Sequence, residues 1–318
     1  MGILSRRDQE RLREARVAVV GVGGIGGTVS TVLARSGVSN FLLVDPERYD
    51  TPDVNRQVGC FSDTIGQYKA DVIGREINRI NPMARVEVHR ERLPLEKTRQ
   101  VLDGWDIVVA EADDLAYSSK LLYIAQELGK FAVSAMPSGF VGYVMCFPPK
   151  SKPMQPETLF GLPSDLSYEE LRTLVESPEN KCGRRWYISE GKWRVDWFRG
   201  WRDGEKALTQ ICPSVWICAC LAANEIIKFL VGKWRIVEAP RMWHIMLADN
   251  RIRVEPFRLT RRLFNRWALR AFSIKTMDIG RRWRSAALKM FERELSKAED
   301  KEKRIDEEAE RALSERRK

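Results

Sequence analysis

The stretch Gly21-Val22-Gly23-Gly24-Ile25-Gly26-Gly27 constrains this chain more than any other. Before it runs RVAVVG (16–21), a short apolar run of β-branched residues, as in a buried parallel strand. After it, TVSTVLARSG has helical character and stops at Gly37. Glycine lets a backbone turn sharply and approach a phosphate closely. The helix that follows offers free N–H groups and a positive dipole end. Asp45 closes the next strand, FLLVD, 19 residues past Gly26, where an acid takes a ribose hydroxyl. Taken alone, this pattern fits NAD, FAD, S-adenosylmethionine or ATP.

Strand and helix signals then alternate. KADVIGREINRI reads as a helix, VEVHRERL as a strand and DIVVAEAD as an apolar run ending in acids. LAYSSKLLYIAQELG reads as a helix and FAVSAMPSG as a strand. The alternation predicts an α/β fold with a Rossmann-like, doubly wound, mainly parallel sheet. The character changes near Pro148, where a Pro-, Ser- and Lys-rich crossover begins. LSYEELRTLVESP predicts a short helix with Ser167 as N-cap and Glu170 completing a capping box. The aromatic and basic stretch from Arg184 to Trp201 suggests a hairpin. ICPSVWICACLAANEIIKFLVGKW reads as a buried helix ending near Gly232, and RMWHIMLADNRIRVEPF as a hairpin turning at Asp249-Asn250. The chain thus divides into a nucleotide-binding half (1–148), a crossover insert with late helix and closing hairpin (149–257), and a basic, charged helical extension (258–318).

Charge separates these parts. The net charge is +10, and +8 of it follows Pro256, where 19 Lys and Arg face 11 Asp and Glu. The main domain is close to neutral, so nucleic acid is expected only through the tail. Between Arg258 and Arg284 nine basic residues are interleaved with Phe264, Trp267, Phe272 and Trp283. That composition suits an RNA, an anionic membrane surface or an acidic partner protein, while the helical spacing suits an amphipathic helix packed on its own domain or at a dimer contact. The terminal charged segment reads as a solvated helix. No apolar run is expected to reach the roughly 18–20 residues that a membrane span needs. Six cysteines without a bridging framework point to a reducing, cytoplasmic compartment.

Further residues narrow the chemistry. Asp53-Val54-Asn55-Arg56-Gln57 follows the second strand, and Lys69 stands 13 residues after Arg56. Asp113 and Asp114 end the DIVVAEADD strand, at the carboxyl edge where ligands bind. One Arg, one Lys and one Asp around a nucleotide suit phosphate chemistry. The cations cover charge on a leaving pyrophosphate, and the Asp can hold Mg2+. Hydride transfer needs no such cluster.

On these residues the sequence resembles the ThiF/MoeB/HesA family, prokaryotic relatives of ubiquitin-activating enzymes. The matching features are the GVGGIG turn, Asp45, Asn55-Arg56-Gln57, Gly66-x-x-Lys69-Ala70 and Asp113. SGFVGYVMCF, the late helix with Pro213, Glu225 and Lys228, and the closing hairpin also match. The resemblance covers roughly residues 8–257. It implies adenylation of a carboxylate with ATP and Mg2+, usually the C-terminal glycine of a small ubiquitin-like or sulfur-carrier protein. It implies that Arg56 and Lys69 contact phosphates, Asp45 binds ribose, Asp113 positions Mg2+ or the carboxylate, and Gly23, Gly24 and Gly26 pack under the nucleotide. A homodimer is expected, with Arg6 or Arg7 as candidates for an arginine lent to the partner subunit.

The sequence departs from the family in particular places. Asp53 stands where Asn is usual, Asp114 replaces a frequent Asn, and Ser118 a frequent Arg. The two Cys-x-x-Cys pairs of a structural zinc are missing, so no zinc site is expected. Cys218 and Cys220 read as small buried core residues, and Cys60, Cys146 and Cys212 as structural. The place of the reactive cysteine in some relatives falls near Glu205. Cys182, on the crossover between Lys181 and Arg184, is the candidate thioester nucleophile, since neighbouring cations favour thiolate. His89 and His244 read as packed strand residues. Three alternatives remain beside adenylation of a protein C-terminus: a small-molecule or tRNA-linked carboxyl or carbamoyl substrate, a non-catalytic nucleotide-binding scaffold, and an NAD-dependent oxidoreductase.

Overall fold

A computed structural model describes residues 2–149, 166–182, 184, 186–256 and 277–316. One sheet of eight strands runs through it, in the order β3-β2-β1-β4-β5-β6-β7-β8. The strands are β1 (Arg16–Val20), β2 (Asn40–Val44), β3 (Arg85–His89), β4 (Ile107–Ala110), β5 (Phe131–Ser138), β6 (Val141–Phe147), β7 (Arg241–Met246) and β8 (Arg251–Pro256). β3, β2, β1, β4 and β5 pair in parallel, with Val17 opposite both Phe41 and Ile107. β5 to β8 pair antiparallel. The fold is thus the Rossmann-like, doubly wound α/β arrangement expected. VEVHRERL pairs only as far as His89.

Alternation explains how the sheet is covered. Val17 and Val19 face one core with Phe41, Leu43, Ile107 and Val109. Ala18 and Val20 face the other with Leu42, Val44, Val108 and Ala110. A strand buried on both faces needs apolar residues at consecutive positions, as RVAVV provides. Helices α1 (Arg6–Glu14), α2 (Gly24–Arg35) and α3 (Lys69–Ile80) contribute to the first layer. Helices α4 (Leu95–Asp103) and α5 (Leu115–Glu127) form the second.

The insert is helical. It comprises α6 (Tyr168–Glu176), α7 (Pro178–Cys182), α8 (Trp186–Ser189) and α9 (Val195–Arg202). Ser167 and Glu170 make the expected capping box on α6. The expected hairpin over 184–201 is therefore wrong. Val195, Phe198 and Trp201 recur every three residues and bury one helical face. Helix α10 (Cys212–Val231) follows and ends at Gly232 in the left-handed conformation. With 20 residues it is long and apolar enough to cross a membrane, a length the sequence reading had not found. Here it lies in the first core layer through Val215, Cys218, Ala219, Ala222, Ala223 and Ile226. Cys218 is buried as expected, but Cys220 on the same helix is exposed.

Helix α11 (Met277–Arg316) corrects the reading of a solvated terminal helix. Phe291 and Leu295 are buried against Cys182, Tyr187, Trp193, Val195, Phe198 and Trp201. Around them Arg199 pairs with Glu299 at 2.8 Å, and Arg194 with Glu302 at 2.9 Å and Asp306 at 3.0 Å. The basic, aromatic part of the tail before Met277 lies outside the described residues, and the side chains up to Leu288 are likewise not described.

Candidate active site

The chain passes from β1 to β2 and β3 on one side, then returns to β4 beside β1. This reversal opens a crevice at the carboxyl ends of β1 and β4, where doubly wound sheets bind ligands. A cavity of about 480 Å3 lies there. Its lining includes Gly21, Gly23, Gly24, Asp45, Arg56, Lys69 and Asp113. The sequence candidates thus meet at one place, apart from Gly26 and Cys182.

The glycine turn is sterically required. Gly21 has φ +93°, and a Cβ there would lie 2.2 Å from the Glu111 carbonyl oxygen. A Cβ on Gly26 would lie 1.9 Å from the Gly21 carbonyl oxygen. Gly26 therefore lets α2 start tight against the turn rather than lining the cavity itself. Asp45 braces the same turn from β2. One carboxylate oxygen accepts from the Val22 N–H at 2.7 Å and the other from the Glu47 N–H at 2.8 Å. Burial raises the Asp45 pKa, and these two N–H groups work against that rise.

Lys69 and Arg56 come from different segments but share a carboxylate. Lys69, 4% exposed, pairs with Glu47 at 2.7 Å and Asp53 at 3.4 Å. Burial disfavours its charge, but Glu47, Asp53 and Asp45 outweigh that, and its pKa is raised. Arg56 lies 3.5 Å from Asp53 and donates to Gln210 at 3.0 Å. Gln57 donates to Asp53 at 2.5 Å. Asp53, unusual by the sequence reading, thus gathers the two cations and Gln57. Gln210 extends the network by donating to the Pro137 carbonyl at the end of β5, at 3.2 Å.

Beyond β4 the acids divide their work. Asp113 is exposed in the cavity and has no hydrogen-bond or ion-pair partner among the described residues. The surrounding protein desolvates it and Glu47 lies near, so its pKa is raised. Lys69 and Arg56 act in the opposite sense, which places their charge within reach of Asp113. Asp114 instead caps α5 through the Tyr117 N–H at 3.0 Å. It also accepts from Arg92 at 3.0 Å and from Tyr168 on α6 at 2.6 Å. Ser118 donates to the Ala112 carbonyl at 2.7 Å. Glu111 accepts from the Ala135 N–H at 2.6 Å, and burial raises its pKa well above the carboxylate range.

Cys182 is 8% exposed, packs in the aromatic cluster of the insert, and does not line the cavity. The candidate thioester nucleophile is therefore buried beside the cavity wall rather than exposed in the cavity. His89 lies 2.7 Å from Glu87, and His244 lies 2.6 Å from Glu255 and stacks on Tyr143. Neither lines the cavity.

Sequence reasoning missed Glu47, Gln210 and Glu111. Glu47 and Gln210 sit in loops where nothing in the local pattern marks them. Glu111, an acid next to an apolar strand, was visible but was read as part of the acidic ending. The insert residues Arg172, Arg184, Tyr187 and Trp201 also line the cavity.

Comparison with known proteins bears on this geometry. The ThiF family model matches residues 1–264. The chain is 34% identical over 139 residues to the sulfur carrier protein adenylyltransferase of Thermus thermophilus, covering 44% of this chain and 51% of that protein. It is 37% identical over 114 residues to the tRNA threonylcarbamoyladenosine dehydratase of Bacillus subtilis, covering 36% and 45%. The chain thus spans about half the length of these relatives. Escherichia coli MccB, solved with ATP, superposes with a TM-score of 0.59 at 19% identity over 79% of this chain and 66% of that one. At that identity the likeness concerns the fold.

Proposed function

The chain belongs to the ThiF family, and from that premise we propose that it is an ATP-dependent adenylyltransferase that activates a carboxylate. The observation that carries this reading is the meeting of Lys69, Arg56 and Asp113 in the crevice beside the glycine turn. The start of α2 and the two cations suit a triphosphate. A carboxylate oxygen of the substrate attacks the α-phosphorus, the bond to the β-phosphate breaks, and pyrophosphate leaves as the acyl-adenylate forms. Lys69 and Arg56 stabilise the charge that grows on the leaving group. To do so they turn from Asp53 and Glu47 toward the phosphates, a short move within an existing network. Asp45 holds the turn against the ribose end.

Mg2+ fits this site through Asp113. That ion is commonly held by one or two carboxylates together with substrate phosphates and water, and Asp113 is a carboxylate open to the cavity and without a partner among the described residues. There it would neutralise phosphate charge.

The substrate we favour is the C-terminal glycine of a ubiquitin-like or sulfur-carrier protein, supported by the relative in Thermus thermophilus. The second reading, a tRNA-linked substrate, is favoured by the relative in Bacillus subtilis. A homodimer is part of the proposal, and sedimentation equilibrium tests it. The test of the activity is ATP–pyrophosphate exchange with Lys69→Ala. Exchange should fall by at least about 10²-fold, the scale of losing one transition-state charge contact. Exchange at the wild-type rate would remove Lys69 from the chemistry.

A further inference from the structure

Among the described residues that line the cavity, Asp113 lacks an ion-pair partner, and so do two arginines of the insert. Among the lining cations, Lys69 has Glu47 and Asp53, Arg56 has Asp53, and Arg92 has Asp114. Arg172 on α6 is exposed and has no hydrogen bond or ion pair among the described residues. Among the described residues the Arg184 side chain, just after α7, reaches only the Val175 carbonyl at 3.5 Å, and it sits 5.6 Å over the Trp201 ring. The nearby acid Glu176 is already paired with Lys181 at 2.9 Å. Among the described residues, the insert side of the cavity carries these two arginines without an acidic partner, while the unpaired carboxylate, Asp113, lies beyond β4; two such arginines favour an anionic ligand.

The wall belongs to the insert, not to the nucleotide crevice. Leu171 and Val175 of α6 pack on Ala116 of α5, and Tyr168 bonds Asp114. The insert therefore closes the cavity on the side beyond Asp113 and Asp114. Uncharged Leu208, Met136 and Pro137 also line the cavity. We propose that Arg172 and Arg184 form an anion subsite for an acidic side chain close to the reacting C-terminal carboxylate of a peptide-like substrate. The inference rests on the adenylation reading and names a feature of its substrate.

A peptide is favoured over RNA by the state of the aromatic side chains. Tyr187 and Trp201 are 9% and 7% exposed, with ring centroids 5.2 Å apart, and Trp193 covers Trp201 at 5.6 Å. Readers of single-stranded RNA present open rings on which bases stack. Here the rings are occupied by one another. Two arginines also match one carboxylate better than a run of phosphates.

The test uses the full chain and fluorescein-labelled peptides ending in Gly-Gly, with Glu or Gln placed at the third, fourth or fifth position from the end. Binding is read by anisotropy with a non-hydrolysable ATP analogue present, and affinity for the analogue is measured separately. At one position Glu should bind about tenfold more tightly than Gln, a difference of about 1.4 kcal/mol. Arg172→Ala and Arg184→Ala should each erase most of that preference, and Arg172→Glu with Arg184→Glu should transfer it to a Lys peptide. Equal affinity for Glu and Gln at every position overturns the proposal, as does failure of every peptide to bind. Loss of analogue affinity in the arginine variants would make them nucleotide contacts and overturns it too. So does an RNA oligonucleotide whose binding, instead of the peptide's, depends on these arginines. Any of these results with the analogue still bound to the wild type leaves the adenylation reading standing. A wild type that does not bind the analogue ends that reading instead.

Discussion

Single residues in this site carry opposing demands. Asp53 steadies Lys69, Arg56 and Gln57, yet it also places a negative charge where a triphosphate is proposed to lie. Asp53→Asn should therefore lower stability by about 1.5–3 kcal/mol, the scale of a hydrogen bond to a charged group. The same change should tighten binding of an ATP analogue. Chemical denaturation and calorimetric titration read the two effects, and a loss of both would contradict the idea that Asp53 competes with phosphate. Glu111 gives a pH signature. Its folded pKa is raised well above the ordinary value by burial. The unfolded chain ionises first as pH rises past about 4.5, so the folded state loses stability above that pH, by about 1.4 kcal/mol per pKa unit. Glu111→Gln keeps an acceptor for the Ala135 N–H and removes the charge. It should melt higher than wild type near pH 7 and alike near pH 4. Parallel melting curves at both pH values would contradict it. The motif residues Asp45, Arg56, Lys69 and Asp113 were legible because their spacing is tied to strand ends. Their partners Glu47 and Gln210 were not, because a loop residue is placed by the fold and not by a period.

At the scale of elements, the alternating strands and helices were legible from periodicity, including the capping box at Ser167 and the stop at Gly232. The stretch 184–201 was misread because its aromatics favour strands, while their three-residue spacing belongs to helix α9. The terminal helix was misread for a related reason. Among so many charges, Phe291 and Leu295 look incidental, yet both are buried against α9. The acids beside them meet Arg194 and Arg199, far away in sequence. Since Tyr187 and Trp201 belong both to this cluster and to the cavity wall, α11 holds that wall in place. Phe291→Ala should cost about 3–5 kcal/mol of local stability. Hydrogen exchange should then speed up over 186–202 and stay unchanged in β1 and β4. Unchanged exchange over 186–202 would show that α11 does not support the insert.

For the whole molecule, the reversal between β1 and β4 explains why distant motifs converge. Four segments, ending β1, β2 and β4 and starting α3, deliver glycine, acid, acid and lysine to one crevice. The insert then covers that crevice, and the terminal helix braces the insert. Most of the net positive charge follows Pro256, so the site itself sits in a near-neutral domain. Its selectivity must come from local arrangement rather than a general field. The most direct measurement is ATP–pyrophosphate exchange by the purified full chain with Mg2+ and a panel of carboxylates, proteins ending in Gly-Gly included. Exchange that requires one of these carboxylates, and is lost in Lys69→Ala, is the expected result. Absence of exchange with every carboxylate, in a protein that also fails to bind ATP, would contradict adenylation.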